Sequence, residues 1–179
     1  VFQHYNNCFR TFDNSWGRED AEQALRMAEA AGQPEGSAIY FGVDADWPYQ
    51  QMRDPIIKYF EDVKRTFEGS NVAVGIYSNG CICNAIREKG LAQYFWLSGS
   101  TGHSGTQAFY NTNNWTLFQN ALDITPSQVG YAIDANVMTI WRLNLQTGAE
   151  TALFMGEAYY AARLTEAPDG SLWFSLIPN

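Results

Sequence analysis

Asp44 and Asp46 are the residues of this chain whose type and spacing most directly suggest chemistry. They close an apolar run, Ala38-Ile39-Tyr40-Phe41-Gly42-Val43, and on an extended chain residues two apart project to the same side. Two carboxyls at close range push their pKa values apart, so one can hold a proton while the other stays ionised. Glycoside hydrolysis uses that division: one carboxyl protonates the leaving oxygen, and the other activates water or steadies the cationic transition state. The bland alternative is that both aspartates only end the strand and turn the chain at Trp47-Pro48. Asp134 closes a later run, Tyr131-Ala132-Ile133, and is expected to bring a third carboxylate to the same place, or else to be a solvated loop acid. Tyr77, Trp96 and Gln119 close three further runs. Aromatic faces stack on sugar rings and amides hydrogen-bond hydroxyls, so this mixture suits a neutral glycan. Gln3 and Tyr5 on the first run, and Trp47 at the rim, extend the same wall, while His4 alternates away from it. Each is also a common packing or capping residue; their joint placement at run ends is what points to a sugar.

The elements that must position these residues alternate between short apolar runs and helical patterns, the order that makes parallel strands joined by crossover helices. Val1 to Tyr5 reads as a first strand. Glu19 to Ala31 follows as a helix with Ala21, Ala24, Leu25, Ala28 and Ala31 on one stripe, stopped by Gly32. Ala38 to Val43 reads as a strand buried on both faces. The next helix is expected to start with Asp54 as N-cap and Pro55 in its first turn, its apolar face formed by Ile56, Ile57, Phe60, Val63 and Phe67. Val72 to Tyr77 is a strand, Cys81 to Lys89 a helix, and Tyr94 to Leu97 a strand. Two more strands, Trp115 to Gln119 and Tyr131 to Asp134, follow at shorter spacing; the connection Ser98 to Asn114 is too rich in Gly, Ser, Thr and Asn for a long helix, so these late crossovers are expected to be loops or single turns. Beyond Asn136 the alternation around Gln146-Thr147-Gly148 and Pro168-Asp169-Gly170 reads as antiparallel hairpins. The division expected is a barrel-like part over 1–137 and a hairpin extension over 138–179.

Composition narrows the class of partner. The 179 residues are 46% hydrophobic and 15% aromatic, enough for a substantial core, and the net charge of −8 repels nucleic acid and anionic membrane surfaces. No run reaches the roughly 18 apolar residues of a membrane helix, and no signal-peptide pattern stands in the chain. Cys8, Cys81 and Cys83 form no disulfide framework, although Cys8 could bridge to one of the pair, and His4 and His103 are too far apart in sequence to suggest zinc. No metal and no cofactor are expected for the glycan reading; a hard-cation site built from Asp44, Asp46 and Asp134 is the competing view of the same acids.

The ordered series Ala28-x-x-Ala31-Gly32-x-Pro34-x-Gly36-x-x-Ile39-Tyr40-Phe41-x-Val43-Asp44-x-Asp46, then Val74-Gly75-Ile76-Tyr77-Ser78, Trp96, Leu117-Phe118-Gln119 and Ile133-Asp134-x-Asn136 resembles the glycoside-hydrolase-like domain known as domain of unknown function 1906. That family is itself similar to the family 25 lysozymes, TIM-like (β/α) barrels that hydrolyse peptidoglycan. The resemblance implies an α/β barrel fold, six parallel strands corresponding to the third through eighth, and a muramidase-like acid/base mechanism. It implies Asp46 as proton donor, standing where the lysozymes carry the Glu of an Asp-x-Glu pair, with Asp44 or Asp134 as base or electrostatic partner. It also implies a binding contribution from Asn136, a secreted or cell-envelope location, and the absence of two leading βα units, so that a preceding segment or a second chain completes the barrel. A glycan-binding barrel without turnover is the alternative, because Asp46 is one methylene shorter than the Glu it replaces.

Overall fold

The structure, a computed structural model, describes residues 1–2, 12, 16–124, 133–143, 150–158, 163–166 and 172–175. It divides into two compact units, Val1–Thr116 and Leu117–Asn179.

In the first unit the order is α1 (Gly17–Ala30), β1 (Ala38–Val43), α2 (Gln50–Phe67), β2 (Ala73–Ser78), α3 (Gly80–Glu88), β3 (Tyr94–Leu97) and α4 (Thr106–Tyr110). β1 pairs with β2 and β2 with β3, both in parallel, with Val43 opposite Ser78 and Ser78 opposite Leu97. Phe2 adds a parallel bridge to Phe41, donating to the Tyr40 carbonyl at 2.8 Å and accepting from the Gly42 amide at 2.9 Å. The first expected strand is therefore parallel where it is described; His4 and Tyr5 lie outside the described residues, as do Gln3 and Cys8.

Alternation sorts the sheet into two faces. Ile39, Phe41, Val43, Val74, Ile76, Phe95 and Leu97 are buried, and Phe41 meets Phe60 and Phe67 of α2 edge-on at ring separations of 6.2 and 5.7 Å. Each such apolar side chain contributes roughly 1.5–3 kcal/mol when fully buried, so this layer supplies the driving force for the unit. The opposite face carries the half-buried Tyr40, Tyr77 and Trp96.

α1 lays its alanine stripe inward: Ala21, Ala24 and Ala28 are buried, and the helix ends before Gly32, whose φ of +66° a side chain would resist. Small side chains let α1 approach α2 closely. The Cβ that Gly17 lacks would sit 2.2 Å from the Tyr59 carbonyl oxygen. Across this contact the buried Tyr59 hydroxyl donates to the buried Asp20 carboxylate at 2.9 Å.

α2 starts one turn before Asp54, with Tyr49 as N-cap and Pro55 inside the helix. Arg53 accounts for the earlier start: it reaches back to donate from Nε to the Trp47 carbonyl at 2.9 Å and from Nη2 to the Pro48 carbonyl. Gln50 also donates to Asp54 at 2.6 Å. The bond that Pro55 cannot make is to the carbonyl of Gln51, an exposed residue in the first turn, so the interruption is mild.

In the second unit β4 (Leu117–Ile124), β5 (Ile133–Leu143) and β6 (Glu150–Ala158) pair antiparallel, β4 with β5 and β5 with β6, and β7 (Arg163–Glu166) pairs antiparallel with β8 (Leu172–Ser175). The two hairpins expected beyond Asn136 are present in β5–β6 and β7–β8. The expected parallel run of six strands is not: β4 and β5 are antiparallel, because the connection 125–132 is shorter than the dozen or so residues a parallel crossover takes. The fold is mixed α/β with helices beside a parallel sheet, and no closed barrel is found among the described residues.

Replacing Tyr59 with Phe keeps the ring but leaves the buried Asp20 carboxylate one donor short. The expected loss is about 1–3 kcal/mol of unfolding free energy, read from the urea midpoint at neutral pH, with an unchanged m-value.

Candidate functional site

β1, β2 and β3 end together, and their carboxyl ends carry the site. Asp44 and Asp46 both lie past Val43, the last residue of β1, and both are exposed. Since the extended ladder has ended, strand alternation no longer sets their directions; hydrogen bonds do. Asp44 makes none among the described residues. Asp46 Oδ1 accepts from the Ser104 amide at 2.9 Å and from Asn79 Nδ2 at 3.1 Å, and Oδ2 accepts from the Ser104 hydroxyl at 3.2 Å.

Asn79 follows β2 directly and is buried, 1% exposed. Its Oδ1 caps α3 by accepting from the Ile82 amide at 3.1 Å, and its Nδ2 also donates to the Ala45 carbonyl at 3.2 Å. Beside it the buried Ser78 hydroxyl donates to the Val43 carbonyl at 2.8 Å. The loop after β3 returns against the start of α3: the Cys81 amide donates to the Ser104 carbonyl at 3.0 Å, and the Gly80 amide to the Thr106 hydroxyl at 3.3 Å. Gly80 permits this approach, because a Cβ there would lie 2.0 Å from the Gly105 carbonyl oxygen, and Gly105 takes a φ of +72°.

These contacts fix the charge state of Asp46. Desolvation raises its pKa, but the amide and hydroxyl of Ser104, the nearby His103 and the Trp47 backbone together outweigh it and hold the carboxyl below the ordinary aspartate value of 3.8. A group that donates a proton near neutrality needs the opposite shift. In the free protein these bonds favour the carboxylate form of Asp46.

Tyr77 and Trp96 do come together, with ring centroids 5.0 Å apart and nearly edge-on, and Tyr40 also meets Trp96 edge-on at 6.0 Å. Tyr40 lies across Gly75, whose Cβ would fall 2.7 Å from its ring. Burial, with a smaller contribution from Tyr94, pushes the Tyr40 hydroxyl up to about 12, so it stays neutral. Tyr40 was not among the expected site residues, because within an apolar strand a tyrosine reads as core.

Several expected positions differ. Trp47 is not at the rim: it is 2% exposed, packed edge-on against Phe12 at 5.7 Å, and its indole N–H finds no partner among the described residues. Gln119 is the third residue of β4, not its end, and is buried; in register it faces the half-buried Asn136 across the β4–β5 ladder. Asp134 is the second residue of β5, at the beginning of an antiparallel strand, not the end of a parallel one. Cys81 and Cys83 sit on α3, in line with the helix expected from Cys81, and both are free thiols; burial pushes Cys83 up, which keeps it protonated. Among the described residues no cluster of His, Cys, Asp or Glu could hold a metal ion, and no helix is long and apolar enough to cross a membrane.

Parallel βα units that present a fixed carboxylate, a second open to solvent, and half-buried aromatic rings fit an α/β domain of the glycoside-hydrolase-like type. The profile of the "Rv2525c-like, glycoside hydrolase-like domain" family matches residues 1–147, and the chain belongs to that family. Two Bacillus subtilis (strain 168) proteins are similar: uncharacterized protein FadG is 32% identical over 66% of this chain and 21% of its own length, and uncharacterized protein YbfG is 34% identical over 60% of this chain and 16% of its own. The chain thus spans about a fifth or less of the length of these relatives. In fold it is similar to the Mycobacterium tuberculosis Tat-secreted protein Rv2525c in complex with L-tartrate, with a TM-score of 0.57 and 24% identity over 75% of this chain and 60% of that one. The same mycobacterial protein in complex with HEPES gives a TM-score of 0.52 at 23% identity, over 69% of this chain and 57% of that one.

Two outcomes follow from the geometry. The Asp46 side-chain carboxyl, followed by carbon NMR, titrates with a midpoint below 3.8. Since the folded value is depressed, its contribution to stability is full above the ordinary aspartate range and disappears as pH falls through the folded value. Separately, Gly80→Ala forces a methyl into the Gly105 carbonyl and is expected to cost about 1–3 kcal/mol, read from thermal or urea unfolding.

Proposed function

We propose that this domain acts on the glycan strands of bacterial peptidoglycan, at a glycoside-hydrolase-like site on the carboxyl ends of β1 to β3. The observation that carries the reading is the unequal treatment of two carboxylates in one short segment: Asp46 is held as an anion by Asn79 and Ser104, while Asp44 stands open to solvent. Retaining and inverting glycosidases both need that inequality. The roles are then exchanged relative to the Asp-x-Glu pattern of lysozymes. Asp46 steadies the oxocarbenium-like transition state, and Asp44 serves as proton donor once a sugar ring covers it, since stripping water from a carboxyl favours its protonated form. Tyr77, Trp96 and Tyr40 offer ring faces and neutral hydroxyls on the same parallel sheet, which suits an uncharged sugar. Gln3 and Tyr5, outside the described residues, extend the proposed set of binding residues on the first unit, with no metal or cofactor. The expected likeness to a (β/α) barrel is carried by the parallel β1–β3 units alone. A secreted or envelope location fits this substrate and agrees with the Tat-secreted relative in fold.

A second reading, a glycan-binding domain without turnover, is favoured by the three hydrogen bonds that already occupy Asp46. The two separate in one experiment on the full-length protein with purified cell walls, measuring pelleted protein and new reducing ends in parallel. Hydrolysis predicts reducing ends from the wild type. Asp46→Asn should lower the rate by about 10²–10³-fold, as for loss of one electrostatic stabiliser, and Asp44→Asn by about 10²–10⁴-fold, as for loss of a general acid. Wall binding should be nearly unchanged in both. Binding without reducing ends, weakened by Asp46→Asn, would leave the non-catalytic reading standing.

A further inference from the structure

We propose that Asn79 and Ser104 are positioning residues of the carbohydrate site, which aim the Asp46 carboxylate and hold it in place from two different loops. This inference rests on the reading of Asp46 as a functional anion, and it adds the machinery that makes it one. Neither residue would touch the reacting atoms through its own chemistry; both act through Asp46.

The geometry separates this role from ordinary loop packing. Asn79 divides its side chain between two tasks. Its carbonyl oxygen caps α3 through Ile82, and its NH₂ group spans the Ala45 carbonyl and Asp46 Oδ1. The direction of the carboxylate is therefore tied to the first turn of α3. Ser104 contacts Asp46 with both its amide and its hydroxyl, one to each carboxylate oxygen, which sets the plane of the carboxyl as well as its distance. Ser104 is itself fixed from behind, because its carbonyl accepts from Cys81 on α3 and the next residue, Gly105, packs directly against Gly80. Both arms of the clamp thus end on the same helix start. Residues 58 positions apart in sequence, Asp46 and Ser104, are locked in one frame. A surface carboxylate serving only solubility has no need of two directed donors and a buried amide.

The test distinguishes positioning from folding. Asn79→Asp keeps an acceptor for the Ile82 amide, and aspartate is as good an N-cap as asparagine. It loses the donor to Ala45 and Asp46 and adds a like charge. Ser104→Ala keeps the backbone amide and loses only the hydroxyl donor. Both variants should retain the fold by circular dichroism, and in both the Asp46 carboxyl titration followed by carbon NMR should shift upward, more in Asn79→Asp than in Ser104→Ala. Asn79→Ser, which keeps a cap without adding charge, should fall between wild type and Asn79→Asp. With cell walls, the acidic limb of the rate profile, or of wall binding if no turnover occurs, should move in step with the Asp46 midpoint. An unmoved Asp46 midpoint in folded Asn79→Asp and Ser104→Ala overturns the proposal. So does a midpoint that moves while the acidic limb stays where it is in the wild type. Absence of reducing ends from the wild type counts only against hydrolysis, since the titration reads the clamp without turnover.

Discussion

The buried amide of Asn79 is the interaction on which the arrangement at the strand ends depends. One side chain joins three segments: the exit of β2, the first turn of α3, and the loop that follows β1. Buried amides are costly unless their capacity is used, and here the oxygen and the nitrogen both have partners. The consequence runs in two directions. Downward, it starts α3 at Gly80, immediately after the strand, so the βα turn is short and leaves no slack. Upward, it pins Ala45 and Asp46, converting a surface loop into part of a rigid site.

The parallel sheet beneath supplies the floor for that arrangement. Its helix-facing side is apolar from Ile39 to Leu97 except for the buried Ser78 at the end of β2, while its other side carries Tyr40 and Tyr77, each in edge contact with Trp96. Edge-on packing leaves part of each ring uncovered, which is how a strand residue can be held firmly and still present a face. Gly75 belongs to the same design, as the gap that lets the Tyr40 ring lie flat across β2. Core and candidate site therefore share strands but not faces.

Much of this was readable from residue order. Ala38 to Val43 is an unbroken apolar run and forms β1 over those residues, and the alanine stripe from Ala21 to Ala28 is the buried side of α1. Other features were hidden for physical reasons. Asp54-Pro55 has the form of a helix start, yet Arg53 draws an earlier turn into α2 by binding the carbonyls of Trp47 and Pro48. The direction of β5 was in the spacing, since 125–132 is too short for a crossover, but the run of strands before it suggested continuation. Trp47 beside two acids looked like a rim residue, whereas its size made it core once Phe12 closed over it. Asn79 could have been found as an N-cap from its place between a strand and a helix. Ser104 could not: it is one small polar residue in a stretch of Gly, Ser and Thr, and its importance comes only from a contact across 58 positions.

The close approach of Gly80 and Gly105 divides the connection after β3 into two parts with different freedom to change. Its return, Ser104 to Thr106, is seated on α3 with no room for another atom. Its tip is open: a side chain added at Gly102 would meet nothing within 4 Å. A side chain at Gly102 can therefore be added without crowding the hydrogen bonds that Ser104 makes to Asp46. The apex of that loop therefore tolerates change, while the same change at its base would dismantle the frame.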